Sequence, residues 1–196
     1  MHCIVRCIVL VLRLSCIDIN EIIVLGEGSY GMVVLCKKLS TGKKYAMKLQ
    51  EKDSIIKFHE EDGSDVNAEC RVLAECSHPY IIPLHYAFCT NNLTILVMSY
   101  APDGDLSSHM RACEITSLPV DRLIFYLSEL VSAVGYLHDR GVMHRDIKPG
   151  NMLLSSDGHI MLTDFGSVWS GAMSPLLLGS SSGSDKGRSK LHRHNR

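Results

Sequence analysis

The chain has 196 residues, 46% of them hydrophobic and 21% charged, enough apolar material to bury a core in one or two compact units. A formal net charge of −1 excludes the broad basic excess with which proteins hold nucleic acid or anionic lipid, so no nucleic-acid partner is expected and partners must be sought at sites. Eight cysteines are scattered without the short paired spacings of a zinc site or the density of a secreted scaffold, which points to reduced thiols and a cytoplasmic or nuclear setting.

Residues 1–19 read as an apolar leader. Arg6 and Arg13 interrupt it, and its longest uncharged run, Cys7 to Leu12, is too short for a membrane span or a signal-peptide apolar region, so an edge strand or a disordered start is expected and membrane attachment is not. From Glu21 to Leu49 strands alternate with turns: Ile22 to Leu25, a glycine-rich turn from Gly26 to Gly31, Met32 to Cys36, the Thr41–Gly42 turn, and Tyr45 to Leu49. In Asp65 to Cys76, Val66, Cys70, Leu73 and Ala74 recur at helical spacing, and Pro79 closes the segment. Two further apolar runs, Ile81 to Phe88 and Leu93 to Tyr100, flank a Cys89–Asn92 turn and complete a set of five strands. A short helix near Leu106 to Ala112 and a long one from Pro119 to Arg140 follow. On the long helix Leu123, Leu127, Leu130, Val134 and Leu137 fall on one stripe, and Gly141 ends it. Residues 170–196, rich in Ser, Gly and basic side chains, read as a disordered tail. The fold class is therefore α+β, with a small β-rich lobe at 20–99 ahead of a helical one at 100–169.

Four motifs carry chemistry. Gly26-Glu27-Gly28-Ser29-Tyr30-Gly31-Met32-Val33 fits G-x-G-x-x-G-x-V, in which the glycines let a hairpin backbone lie close over a nucleotide's phosphates. A strand follows it rather than a helix, which excludes the dinucleotide-binding version. Lys48, in Tyr45-Ala46-Met47-Lys48, sits on the third strand where a lysine can pair with the α- and β-phosphates, and Glu69 on the next helix is its best carboxylate partner, with Glu75 as the fallback. His144-Arg145-Asp146-Ile147-Lys148-Pro149-Gly150-Asn151 fits H-R-D-x-x-x-x-N: Asp146 accepts a hydroxyl proton, Lys148 brings a cation to the transferred group, and Asn151 offers an amide oxygen to a metal. Asp164-Phe165-Gly166 supplies the second metal donor. Two hard oxygens, together with ATP phosphates and water, suit Mg²⁺.

In this order and on these elements, the motifs resemble a eukaryotic protein kinase over about Asn20 to Gly166. Lys148 marks the Ser/Thr class. Glu69 to Leu73, His78 to Ile82, Leu84 to Phe88 and Gly158 to Asp164 are similar to the group containing the cyclic-nucleotide-dependent and ribosomal S6 kinases. The resemblance implies a two-lobed fold with a five-stranded antiparallel N-lobe carrying one main helix. It further implies that Gly26, Gly28 and Gly31 cover ATP, that Val33, Ala46 and Leu153 pack on the adenine, and that Met98 is the gatekeeper behind it. Ser99, Tyr100 and Ala101 would be the hinge that reads the adenine edge, and Asp105 would reach the ribose or a substrate residue. Leu73, Leu84, Phe165 and His144 would form an apolar column between the lobes.

Two departures accompany the match. Gly150 stands where this group often has Glu, so a preference for arginine-rich substrates does not carry over. After Gly166 nothing resembles an activation segment, an Ala-Pro-Glu motif or later helices, so an incomplete helical C-lobe is expected, with an exposed apolar stripe on the long helix and no partner for Arg145. The function expected is ATP- and Mg²⁺-dependent transfer of the γ-phosphoryl group to Ser/Thr hydroxyls of protein substrates. The alternative is a catalytically inactive fragment that binds nucleotide or a partner protein. No oligomeric state is specified.

Overall fold

The structure, a computed structural model, describes residues 19–28, 31–52, 67–114 and 117–170. The apolar leader to residue 18, Ser29 and Tyr30 of the glycine-rich turn, Val66 of the expected helix, and the tail from residue 171 lie outside the described residues.

The first lobe is a five-stranded antiparallel sheet of β1 (Ile19–Gly28), β2 (Gly31–Lys38), β3 (Lys44–Glu51), β4 (Leu84–Cys89) and β5 (Leu93–Ser99), in spatial order β1-β2-β3-β5-β4, with α1 (Ala68–Glu75) connecting β3 to β4. Side-chain alternation along β5 explains its unbroken apolar run. Ile95 and Val97 enter one cluster with Val34, Cys36, Met47 and Leu49, while Leu96 and Met98 enter a second with Val72 and Leu73 of α1. Both faces of this strand are buried, so none of its central residues can be polar.

The strand expected from Ile81 begins instead at Leu84. Pro83 has no N–H to donate to a ladder. Ile81 and Ile82 turn toward the second lobe, where Ile82 N–H donates to Leu162 O at 3.0 Å and Leu162 N–H to Tyr80 O at 2.9 Å. That pair of bonds ties the lobes together behind the site.

The second lobe contains α2 (Leu106–Ala112), α3 (Val120–His138), β6 (Val142–Met143), a 3-10 turn (Pro149–Asn151), β7 (Met152–Leu154), β8 (Ile160–Leu162) and β9 (Trp169–Ser170). β7 pairs with β8, and β6 with β9. Gly141, at φ 69°, ends the α3 segment as its sequence suggests.

The stripe expected on α3 is corrected by the structure. Leu130 and Leu137 face the core, but their buried companions are Tyr126, Glu129 and Ala133, while Leu123 and Leu127 are 42% and 46% exposed. At about 100° per residue, the buried face is rotated roughly 60° from the leucine stripe. The rotation leaves Val120, Ile124 and Val131 at 70%, 62% and 69% exposure, an apolar face turned to solvent, and it brings the carboxylate of Glu129 inside. No helix among the described residues is long and apolar enough to cross a membrane.

Candidate active site

Strand alternation aims Met47 and Leu49 into the sheet's apolar cluster and Lys48 to the other side, over α1. There Lys48 Nζ lies 2.7 Å from Glu69 Oε1 and 2.9 Å from Asp164 Oδ1. Glu75 is not the partner. Glu69 is in the first turn of α1, on the face buried by Ala68, Val72 and Leu73, so its carboxylate is delivered to the lysine by the packing of the helix. Its other oxygen accepts a 2.8 Å bond from Gln50 Nε2, a buried amide two residues beyond Lys48 and therefore on the same face of β3. Sequence reasoning missed Gln50, although that i, i+2 spacing was a signal for it.

Burial alone would lower the Lys48 ammonium, but the two carboxylates outweigh it and hold the group above its ordinary value. Burial likewise pushes Asp164 up, and Lys48 more than reverses this, leaving Asp164 below the usual carboxylate range. Lys48 thus bridges the two carboxylates in a triad. A Cβ on Gly166 would lie 3.4 Å from Asp164 Oδ1, 3.7 Å from Lys48 Nζ and 3.8 Å from Glu69 Oε2, so this glycine sits directly against the triad.

The loop between β6 and the 3-10 turn supplies the second cluster. Asp146 Oδ2 accepts from Lys148 Nζ at 2.7 Å and from Asn151 Nδ2 at 2.9 Å, and Asn151 Nδ2 also reaches Asp146 O at 2.8 Å. The hydrogen bond from Lys148, and then that from Asn151, keeps Asp146 below the usual carboxylate range. Asn151 is buried, and its carbonyl accepts the N–H of Thr163 at 2.9 Å, which links this loop to the residue before Asp164.

His144 and Phe165 hold the two clusters in register. Their ring centroids are 4.8 Å apart in an edge-on contact, and both residues are almost fully buried. Burial lowers the His144 imidazole, so it is neutral at pH 7. Nδ1 accepts from Asp146 N–H and Nε2 donates to Thr163 O. Leu73 and Phe165 lie in the same buried cluster, with Leu84 packed on it half-buried. Arg145, expected to lack a partner, donates from Nε to the carbonyl of Ser167.

Both clusters open on one cavity of about 540 Å³, whose walls include Gly26, Gly31, Val33 and Leu153 as well as Lys48, Asp146, Asn151 and Asp164. Gly28 closes the β1–β2 pairing opposite Gly31. Gly31 has φ 143°, and a Cβ there would sit 1.8 Å from Leu49 O, so only glycine fits. Gly26, on the cavity wall, would meet no protein atom within 4 Å.

Ala46, Met98, Ser99, Tyr100 and Ala101 are not on that wall. Ala46 pairs with Met98 across β3 and β5, and both are buried; Ser99 ends β5 and Ala101 is buried in the linker. Asp105 lies at the start of α2. Its carboxylate caps α2, accepting Ser108 N–H at 2.8 Å and Ser108 Oγ–H at 2.6 Å, and its backbone bridges to Leu153.

A glycine hairpin, a lysine held by two carboxylates and an aspartate–asparagine pair thus border one cavity. The chain belongs to the protein kinase family: the model of the protein kinase domain matches residues 19–175. It is 38% identical over 175 residues to Protein kinase 3 of Dictyostelium discoideum, covering 89% of this chain and 19% of that protein. It is 42% identical over 143 residues to the RAC serine/threonine-protein kinase of Drosophila melanogaster (73% and 23%) and 42% identical over 149 residues to the serine/threonine-protein kinase akt-1 of Caenorhabditis elegans (76% and 27%). The chain thus spans less than a third of the length of these relatives, the latter two of which are serine/threonine-protein kinases, as the resemblance implied.

Proposed function

We propose that this chain transfers the γ-phosphoryl group of ATP to Ser/Thr hydroxyls of protein substrates. The observation that carries the reading is the bridging of Lys48 between Glu69 and Asp164 on one wall of a cavity that also receives Asp146, Lys148 and Asn151. Lys48, fixed by two carboxylates, orients the phosphates. Asp146, ionised and oriented by two donors, accepts the hydrogen bond of the incoming hydroxyl. Lys148 offers its charge to the transferred group.

The donor set fits Mg²⁺, because the carboxylate of Asp164 and the amide oxygen of Asn151 are hard oxygens that phosphate oxygens and water would supplement. Asp164 and Asn151 would hold the ion, which when bound neutralises charge on the phosphates.

A phosphotransfer assay with ATP, Mg²⁺ and a generic basic protein tests the reading. Incorporation by the wild type and its loss in Asp146→Asn are expected; equal incorporation by both would overturn it. The broad apolar face at Val120, Ile124 and Val131 favours a second reading, a nucleotide-binding fragment that engages another protein. In that case Mg–ATP would raise the melting temperature without any phosphotransfer.

A further inference from the structure

Glu129 takes no part in the phosphate cavity, yet it is a carboxylate with only 3% of its surface exposed. One oxygen accepts the backbone N–H of Ile160 at 2.9 Å, and the other meets Nδ1 of His159. Both partners stand at the entrance of β8. Burying a carboxylate is costly unless its oxygens are satisfied, so its place on α3 depends on that entrance staying where it is.

The same strand leads to the metal donors. After Leu162 the chain passes to Thr163, whose N–H is held by Asn151 O at 2.9 Å, and then to Asp164. A shift at the start of β8 therefore reaches both Asn151 and Asp164 within a few residues.

His159 has a half-exposed side chain, and solvent can exchange its proton. The groups facing it are Glu129 from α3, Asp157 from the β7–β8 turn, the Phe125 ring at 5.4 Å and the Tyr80 ring at 5.9 Å; His78 lies beyond, against Tyr80. The hydrogen bond to Glu129, then the charges of Glu129 and Asp157, raise the imidazole above its ordinary value. A histidine raised in this way contributes stability that is complete below its unfolded value, about 6.5, and is lost as pH rises through the folded value.

We propose that Glu129 is a positioning residue for Asp164, and that protonation of His159 tightens its hold: the charged pair fastens the start of β8 to α3, and release of the proton to solvent loosens it. The inference rests on Asp164 and Asn151 being the metal donors of the proposed function.

The test uses the 196-residue chain and reads the ratio of ATP affinities with and without Mg²⁺ at about pH 6 and about pH 8.5. Titration of the nucleotide is common to all variants and cancels between them. From the lower to the higher pH the wild-type ratio should fall about three- to ten-fold more than that of His159→Gln. Glu129→Gln, which keeps an oxygen for Ile160 but no charge, should share the flatter response of His159→Gln. Glu129→Leu should lower the ratio at both pH values.

Equal pH responses in wild type, Glu129→Gln and His159→Gln would overturn the proton-dependent hold. A folded Glu129→Leu with a lower melting temperature but the wild-type ratio would show a merely structural role and overturn the positioning claim. If Glu129→Leu does not fold, the first comparison decides. A wild type that binds ATP with no Mg²⁺ dependence at either pH would instead overturn the phosphate-site reading, and the positioning claim with it. Melting curves of wild type and His159→Gln without ligand would then still show whether the pair responds to pH.

Discussion

Truncating Glu69 to alanine probes the centre of the site, because this carboxylate satisfies two buried partners at once. Its oxygens lie 2.7 Å from Lys48 Nζ and 2.8 Å from Gln50 Nε2, and the residue is 8% exposed. Removing one member of a buried ion pair costs about 3–5 kcal/mol. Lys48 retains Asp164, whose side chain is 43% exposed and better screened, so the lower end of that range applies. The orphaned Gln50 amide adds about 1–3 kcal/mol, for a total of about 4–6 kcal/mol. At about 2–4 °C per kcal/mol for a chain of this size, the melting temperature should fall by about 8–24 °C.

Urea denaturation of the wild type, Glu69→Ala, Gln50→Leu and the double variant measures both contributions. In the Glu69→Ala background Gln50→Leu should recover about 1–2 kcal/mol, since the polar group left without an acceptor is then gone. Alone, Gln50→Leu should destabilise. The same cost for Gln50→Leu in both backgrounds, or a loss under about 1 kcal/mol for Glu69→Ala, would refute the geometry of a shared carboxylate.

Gly31→Ala should weaken ATP binding by about ten-fold or more and lower the melting temperature, because the new Cβ forces β2 away from Leu49 O; Gly150→Ala, whose Cβ would meet nothing within 4 Å, should melt as the wild type does. Asp164 is held below its ordinary carboxylate value, so its contribution is present above the unfolded value and is lost as pH falls through the folded one. The melting difference between wild type and Asp164→Asn should accordingly be largest near pH 7 and shrink toward about pH 2. Burial pushes the Cys36 and Cys76 thiols up to about 11, whereas Cys89 and Cys113 are exposed, so iodoacetamide at about pH 8, followed by peptide mass mapping, should label the latter pair first. Replacing Ile124 and Val131 with Gln should raise solubility while changing stability by no more than about 0.5 kcal/mol per site, as read by light scattering and melting.

The sheet was legible because its strands are short apolar runs and the turns between them carry their own chemistry, as with Gly42 at φ 70° between β2 and β3. The convergence of the site residues on one cavity was legible because they lie in four short motifs. Positions set by packing between distant segments were not. The long helix reads as a leucine stripe, yet its buried face includes Glu129, because the partners that make burial tolerable, His159 and Ile160, lie about thirty residues away. Pro83 was visible but its consequence was not, since the bonds that Ile82 makes in place of sheet pairing are to Leu162, far along the chain. Asp105 illustrates a different limit: its cap on α2 depends on Ser108 presenting both N–H and Oγ–H to the carboxylate, which residue type alone does not give.

Asp164 couples the apolar core to the charged site through its backbone. It has φ 63°, in the left-handed region that costs a non-glycine residue about 1 kcal/mol or more. The sharp bend sends its carboxylate toward Lys48 while the next side chain, Phe165, goes the opposite way and becomes fully buried against His144. Burying a phenylalanine contributes about 1.5–3 kcal/mol, enough to offset the strain. The ionised end therefore depends on the apolar end: Phe165 in its pocket helps to hold the bend that brings Asp164 within 2.9 Å of Lys48. His144 reinforces this from both sides, by packing on Phe165 and by its Nε2–H bond to Thr163 O, so that the core and the phosphate site are organised by the same few residues.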